Sequence, residues 1–160
     1  MDESLSTLAT LVGARLKTCG LMLASAESCT GGWVAQVVTS VAGSSEWFDR
    51  GFVTYSNQSK LDMLGVRQAT LGTHGAVSEP TAREMAAGAL ERSRAGIALA
   101  ITGVAGPTGG SPDKPVGMVC FAWAQCGGTV GSETRRFEGD REAVRRQAVI
   151  RALQGVIERL

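Results

Sequence analysis

Residues 21–33, Leu21-Met22-Leu23-Ala24-Ser25-Ala26-Glu27-Ser28-Cys29-Thr30-Gly31-Gly32-Trp33, run from a short apolar segment through a serine, a cysteine and paired glycines into a helical pattern. The run 21–26 reads as a buried strand, and 33–41, mostly Val and Ala, as a helix. A strand that turns directly into a helix is the repeating step of an α/β fold. At such a junction the first helical N–H groups lack internal partners and the helix dipole is positive, so anions and oxyanions are welcome there. Gly31 and Gly32 let a ligand approach the backbone. The same residues also suit a plain N-cap and a tight turn.

Working outward, residues 5–18 carry apolar side chains at helical spacing and Gly20 stands where that helix ends. Gly51-Phe52-Val53-Thr54-Tyr55 reads as a strand ending at Tyr55. Ser56-Asn57 follows as a helix cap, with Asn57 as N-cap and Lys60 in the first turn of a helix through Leu64. Glu79-Pro80 opens an alanine-rich helix through Arg92. Residues 95–102 form the clearest buried strand. Residues 103–117 hold five glycines and three prolines, a shaped loop that no helix or central strand tolerates. Residues 116–125 and 129–137 form a hairpin around Gly127-Gly128, and Gly139-Asp140 starts a final helix towards Leu160. The pattern predicts a three-layer α/β/α sandwich, its mixed, mostly parallel sheet of about five strands covered by helices on both faces. In such sheets ligands collect beyond the carboxyl ends of the strands, where Ser28, Tyr55 and Thr102 fall.

The chain has 160 residues, which fits one domain over 1–160. Its net charge is +1, from 16 basic and 15 acidic residues, and only 5% of residues are aromatic. Neither nucleic acid nor an anionic membrane finds a matching field here. The longest apolar stretch, 95–105, is too short to cross a bilayer, and the acidic start Met1-Asp2-Glu3 is unlike a secretory signal. A cytoplasmic protein is expected. Cysteines at 19, 29, 120 and 126 lack paired metal-ligand spacing, and His74 is the single histidine, so no metal site is expected. Cys120 and Cys126 are too far apart along one strand to bridge and read as reduced, buried thiols.

Ser28 needs a base. A serine–histidine–carboxylate site would rest on His74 alone, in a loop better read as solvated. A lysine serves instead if burial or positive charge lowers its pKa; for Lys60 the helix start disfavours the charged form and flanking apolar residues could desolvate it, the alternative being an ordinary surface lysine. Tyr55 could relay protons between Ser28 and Lys60 or orient the nucleophile; otherwise it is a core aromatic. Cys29 competes for the nucleophile's role, since a thiolate at a helix N-terminus can be stabilised. Candidate binding groups are Cys29, Thr30, Gly31 and Gly32 of the turn, Thr102, Gly103, Ala105 and Gly106 of the glycine-rich segment, and Arg141 with Arg145 on one helical face. A structural loop and a solvated face explain the latter two groups equally well.

Several motifs carry a resemblance over nearly the whole chain: Ala26-Glu27-Ser28-Cys29-Thr30-Gly31-Gly32, the run 51–57 with Lys60, Gly75-Ala76-Val77-Ser78-Glu79, Thr102-Gly103-Val104-Ala105-Gly106-Pro107, and Lys114-Pro115-Val116-Gly117. In their order they resemble the nicotinamide-nucleotide amidohydrolase family, the CinA carboxy-terminal domain in its stand-alone form. The resemblance implies deamidation of nicotinamide mononucleotide to nicotinate mononucleotide and ammonia, without metal or other cofactor. It maps a serine nucleophile, a lysine and a tyrosine onto Ser28, Lys60 and Tyr55. It also implies a homo-oligomer, without the amino-terminal domain and pyrophosphatase activity of longer CinA proteins. A competing reading is a non-catalytic nucleotide-binding or interaction module linked to competence and DNA-damage responses.

Overall fold

A computed structural model describes residues 2–160. Its elements in chain order are α1 (Glu3–Cys19), β1 (Leu23–Glu27), α2 (Trp33–Thr39), a 3-10 turn (Ser44–Glu46), β2 (Phe48–Val53), α3 (Asn57–Leu64), α4 (Gln68–His74), α5 (Glu79–Glu91), β3 (Ile97–Gly103), β4 (Met118–Gln125), β5 (Val130–Arg136) and α6 (Arg141–Glu158). The sheet order is β2-β1-β3-β4-β5. β1 is parallel to both β2 and β3, whereas β4 and β5 form the antiparallel hairpin. The expected α/β sandwich is therefore present, with a mixed sheet whose three parallel strands carry the site.

Alternation along the central strands sorts the sheet into a bulky and a small face. Leu23, Ile97, Leu99, Ile101, Phe121 and Trp123 pack with α1, α2 and α6. Ala24, Ala26, Ala98, Ala100, Cys120, Ala122 and Ala124 pack with α3 to α5. Alanines on the second face let α5 lie close to the sheet, and a Cβ on Gly88 would meet the Leu64 carbonyl oxygen at 1.9 Å. On the other face Gly155 of α6 makes room for Trp123, whose indole N–H donates to Ala152 O at 2.9 Å.

Several expectations shift. The N-cap of α3 is Ser56, not Asn57: its hydroxyl accepts from Ser59 N while Ser59 Oγ accepts from Ser56 N, a reciprocal box. Strand β2 runs from Phe48 to Val53, so Tyr55 stands past its end. His74 closes α4, a helix that the sequence reading leaves as loop. Cys120 is buried, but Cys126 lies beyond β4 and is exposed, because the strand ends at Gln125. All four thiols are free.

β1 decides where the site forms. The chain leaves it towards β2 on one side, and its other neighbour β3 is entered only after α3 to α5. The carboxyl ends of β1, β2 and β3 thus open onto a common crevice, the usual ligand position in open α/β sheets.

Candidate active site

Ser28 follows the last residue of β1 and continues the ladder by one bond, its N–H donating to Ile101 O at 3.0 Å. Thr54 extends β2 in the same way, donating to Glu27 O at 2.9 Å. Chain direction then reverses sharply through 28–32. Gly31 (φ 61) and Gly32 (φ 102) occupy left-handed backbone that other residues resist, and α2 begins at Trp33.

Lys60 reaches this turn from below. It lies on the inner face of α3 with Leu64, one helical turn on, and is 1% exposed. Its Nζ lies 3.0 Å from Ser28 Oγ and donates to Thr54 O at 2.7 Å. No carboxylate faces the amine, and burial pushes its pKa below the ordinary lysine value. The lowering expected from the helix start is thus supplied by desolvation.

Cys29, the competing nucleophile, is 7% exposed, and burial pushes its thiol up to about 12. It stays protonated near neutrality.

The amides at the start of α2 are not free for an oxyanion, as the sequence reading has it. Glu27, itself 1% exposed, turns its carboxylate onto them: Oε1 accepts from Thr30 Oγ1 at 2.7 Å and Val34 N at 2.8 Å, and Oε2 from Ala35 N at 3.2 Å. Burial outweighs the pull of these donations and leaves the Glu27 carboxyl above its ordinary value. Among the described residues, the N–H groups of Cys29 and Thr30 in this turn donate to no carbonyl or carboxylate, and that of Gly32 faces Glu27. No local pattern marks this role of Glu27, whose amide partners lie seven and eight residues on in α2.

A cavity of about 270 Å³ opens over Ser28 and is lined by Cys29, Tyr55, Val77, Gly103, Val104, Ala105, Gly106, Thr108, Gly109 and Arg141. The structure thus brings together Ser28, Lys60, Tyr55, the glycine-rich segment and Arg141. Arg141, at the start of α6, donates to Gly106 O at 2.8 Å and to the Tyr55 hydroxyl at 3.0 Å. Tyr55 is 62% exposed and its hydroxyl accepts from Arg141, while Lys60 contacts Ser28 directly.

Three expected binding residues also make structural contacts. Thr102 is buried and donates to Ala76 O at 2.8 Å, tying β3 to the segment that supplies Val77. Thr30 is buried and committed to Glu27. Arg145 lines a second cavity with Arg141, Trp33 and Glu142, while its Nε donates to Cys29 O at 3.0 Å and its Nη2 to Thr30 O at 3.2 Å, with the guanidinium 5.4 Å from the Trp33 ring centre. Among the described residues no group of three or more His, Cys, Asp or Glu side chains is placed to hold a metal ion, and no helix is long and apolar enough to cross a membrane.

Comparison with known proteins gives concordant matches. Residues 5–160 match the family described as CinA C-terminal domain. The chain is 57% identical over 153 residues to nicotinamide-nucleotide amidohydrolase PncC of Escherichia coli (strain K12), covering 96% of this chain and 93% of that protein. It is 51% identical over 156 residues to the protein of the same name from Pseudomonas putida, covering 98% and 97%. The crystal structure of competence/damage inducible protein CihA from Agrobacterium tumefaciens superposes with a TM-score of 0.96 at 47% identity, covering 99% of this chain and 96% of that one.

Proposed function

Because the chain belongs to the CinA C-terminal domain family, we propose that it hydrolyses the carboxamide of nicotinamide mononucleotide to nicotinate mononucleotide and ammonia, with Ser28 as nucleophile and Lys60 as base. The observation that carries the mechanism is the 3.0 Å approach of Lys60 Nζ to Ser28 Oγ in a site with no carboxylate to hold the amine charged. As a neutral amine, Lys60 accepts the serine proton as Oγ attacks the amide carbon, and Thr54 O fixes the amine's direction. The new O–C bond pushes an electron pair onto the carbonyl oxygen, which the N–H groups of Cys29 and Thr30 would receive. Collapse breaks the C–N bond, and the lysine proton leaves with ammonia. Water then attacks the acyl-serine, with Lys60 again taking the proton and returning it to Ser28.

The substrate's pyridinium ring draws electrons from the carboxamide and eases the attack. Its 5′-phosphate suits the glycine-rich segment and Arg141 at the cavity mouth, which makes free nicotinamide a poor substrate. Tyr55, held by Arg141, belongs to this binding wall. The sequence expectations of a cytoplasmic, homo-oligomeric enzyme accompany this reading.

The test is ammonia release from nicotinamide mononucleotide, with free nicotinamide as control, by wild type, Ser28→Ala, Cys29→Ala and Lys60→Met in metal-free buffer. Turnover lost with Ser28 and Lys60 and kept with Cys29 supports the reading. A folded wild type that releases no ammonia overturns it and leaves the binding module.

A further inference from the structure

The backbone of the nucleophile turn is sorted by polarity. Three donors of the turn and the helix it opens, the Thr30 hydroxyl and the Val34 and Ala35 amides, all go to the one buried carboxylate of Glu27. Two successive carbonyls on its other side, those of Cys29 and Thr30, accept from one guanidinium, that of Arg145. The glycines at 31 and 32 permit this separation, and a Cβ on Gly31 would lie 3.5 Å from Arg145 Nη2. With the carbonyls of residues 29 and 30 held to one side, the N–H groups of those residues donate to no carbonyl or carboxylate.

Resting on the amidase reading, we propose that Glu27 and Arg145 are positioning residues, an opposite-charge clamp that fixes the 28–32 turn so that Ser28 Oγ meets Lys60 and the Cys29 and Thr30 amides face the reacting carbonyl. Neither touches the substrate. The chemistry of the clamp is specific. All neighbours of Glu27 are donors, so only a carboxylate with acceptor sites on both oxygens satisfies them; a glutamine would turn an NH2 group onto an N–H. Arg145 needs two N–H groups in a fixed plane to reach two adjacent carbonyls, which an ammonium lacks.

The experiment compares wild type, Glu27→Gln, Arg145→Lys and Thr30→Val, the last removing one donor from Glu27 without a change of charge. It measures kcat and KM for nicotinamide mononucleotide and the rate at which a fluorophosphonate labels Ser28, with Ser28→Ala as blank. Glu27→Gln is expected to lose about a hundredfold in kcat, with the labelling rate falling in step and KM held within about threefold. Arg145→Lys and Thr30→Val should each lose about tenfold in kcat, again without a matching change in KM. If Glu27→Gln does not fold, Thr30→Val carries the same test. A KM raised about tenfold by Arg145→Lys with kcat kept would make Arg145 a substrate ligand and overturn the clamp. Unchanged kcat and labelling in Glu27→Gln or Thr30→Val would overturn it too. Should the wild type label at Ser28 but leave the nucleotide intact, the amidase reading fails while the labelling rates still decide the clamp.

Discussion

Lys60→Met separates a working base from a buried structural lysine, because its effect on stability must depend on pH in a fixed direction. In the fold Lys60 is 1% exposed and burial holds its pKa below the ordinary 10.5, whereas in the unfolded chain it titrates near that value. Between the two values the unfolded chain carries a proton that the folded one lacks, so stability rises with pH there. Lys60's contribution is complete above the unfolded value and is lost as pH falls through the folded one. One proton gives a limiting slope of about 1.4 kcal/mol per pH unit. Methionine has similar length and no titration, so the wild-type minus variant difference isolates this slope, the other ionisable groups cancelling.

Urea unfolding followed by circular dichroism between pH 7 and 10 reads the difference directly. At the same time, kcat for the nucleotide should fall by roughly 10²- to 10⁴-fold in Lys60→Met, the contribution of a positioned general base. The wild-type kcat/KM should rise with pH over the window in which its stability rises. Parallel stability curves for the two proteins would show a lysine with no depressed pKa, and a variant within about tenfold of wild type would show a lysine that is not the base. Either result refutes the mechanism.

Cys29→Ala should keep kcat within about threefold, and the wild-type thiol should resist iodoacetamide at neutral pH, since burial pushes it up to about 12; rapid alkylation or an inactive variant would move the nucleophile to Cys29. Arg141→Met removes the donors to Gly106 O and the Tyr55 hydroxyl together with the cation at the cavity mouth. It should raise KM for nicotinamide mononucleotide by about ten- to a hundredfold, as expected for charged hydrogen bonds of about 1.5–3 kcal/mol, with a smaller effect on kcat. Gly88→Ala places a Cβ 1.9 Å from Leu64 O where α3 packs on α5. It should lower the stability measured by urea unfolding by about 1–3 kcal/mol, and an unchanged midpoint would show that α5 has room to retreat.

Elements whose ends carry their own chemistry were legible. Gly20 caps α1 in left-handed backbone, Pro80 sits in the first turn of α5, and Asp140 accepts from Ala143 N to start α6. The short helix α4 was not, because its N-cap Arg67 supplies no side-chain bond. Its start is fixed instead by Glu84 of α5, which accepts from Arg67 N at 2.8 Å and from Thr70 Oγ1. A helix held by a residue seventeen positions away leaves no local pattern. The start of β2 was missed for a similar reason: the sequence reading begins the strand at Gly51, yet it begins at Phe48, where Asp49 accepts from Arg94 N and Arg50 reaches Arg92 O, partners between α5 and β3 that only the fold brings close.

In the site, the groups named by backbone context were legible and the sorting of charges between them was not. Ser28, Lys60 and the glycine-rich segment follow from where strands end and helices begin. That the buried Glu27 and Lys60 each find partners other than one another does not. Glu27, the last residue of β1, and Lys60, on α3 with its amine at Thr54 O, are both 1% exposed. Had the carboxylate met the ammonium, the pair would have held the lysine charged and useless as a base. Glu27 instead faces the amides of α2, and Lys60 meets only neutral oxygens, those of Ser28 and Thr54. The direction of Glu27 is therefore a condition of the chemistry at Ser28: the helix start takes up the negative charge, and the lysine is left free to lose its proton.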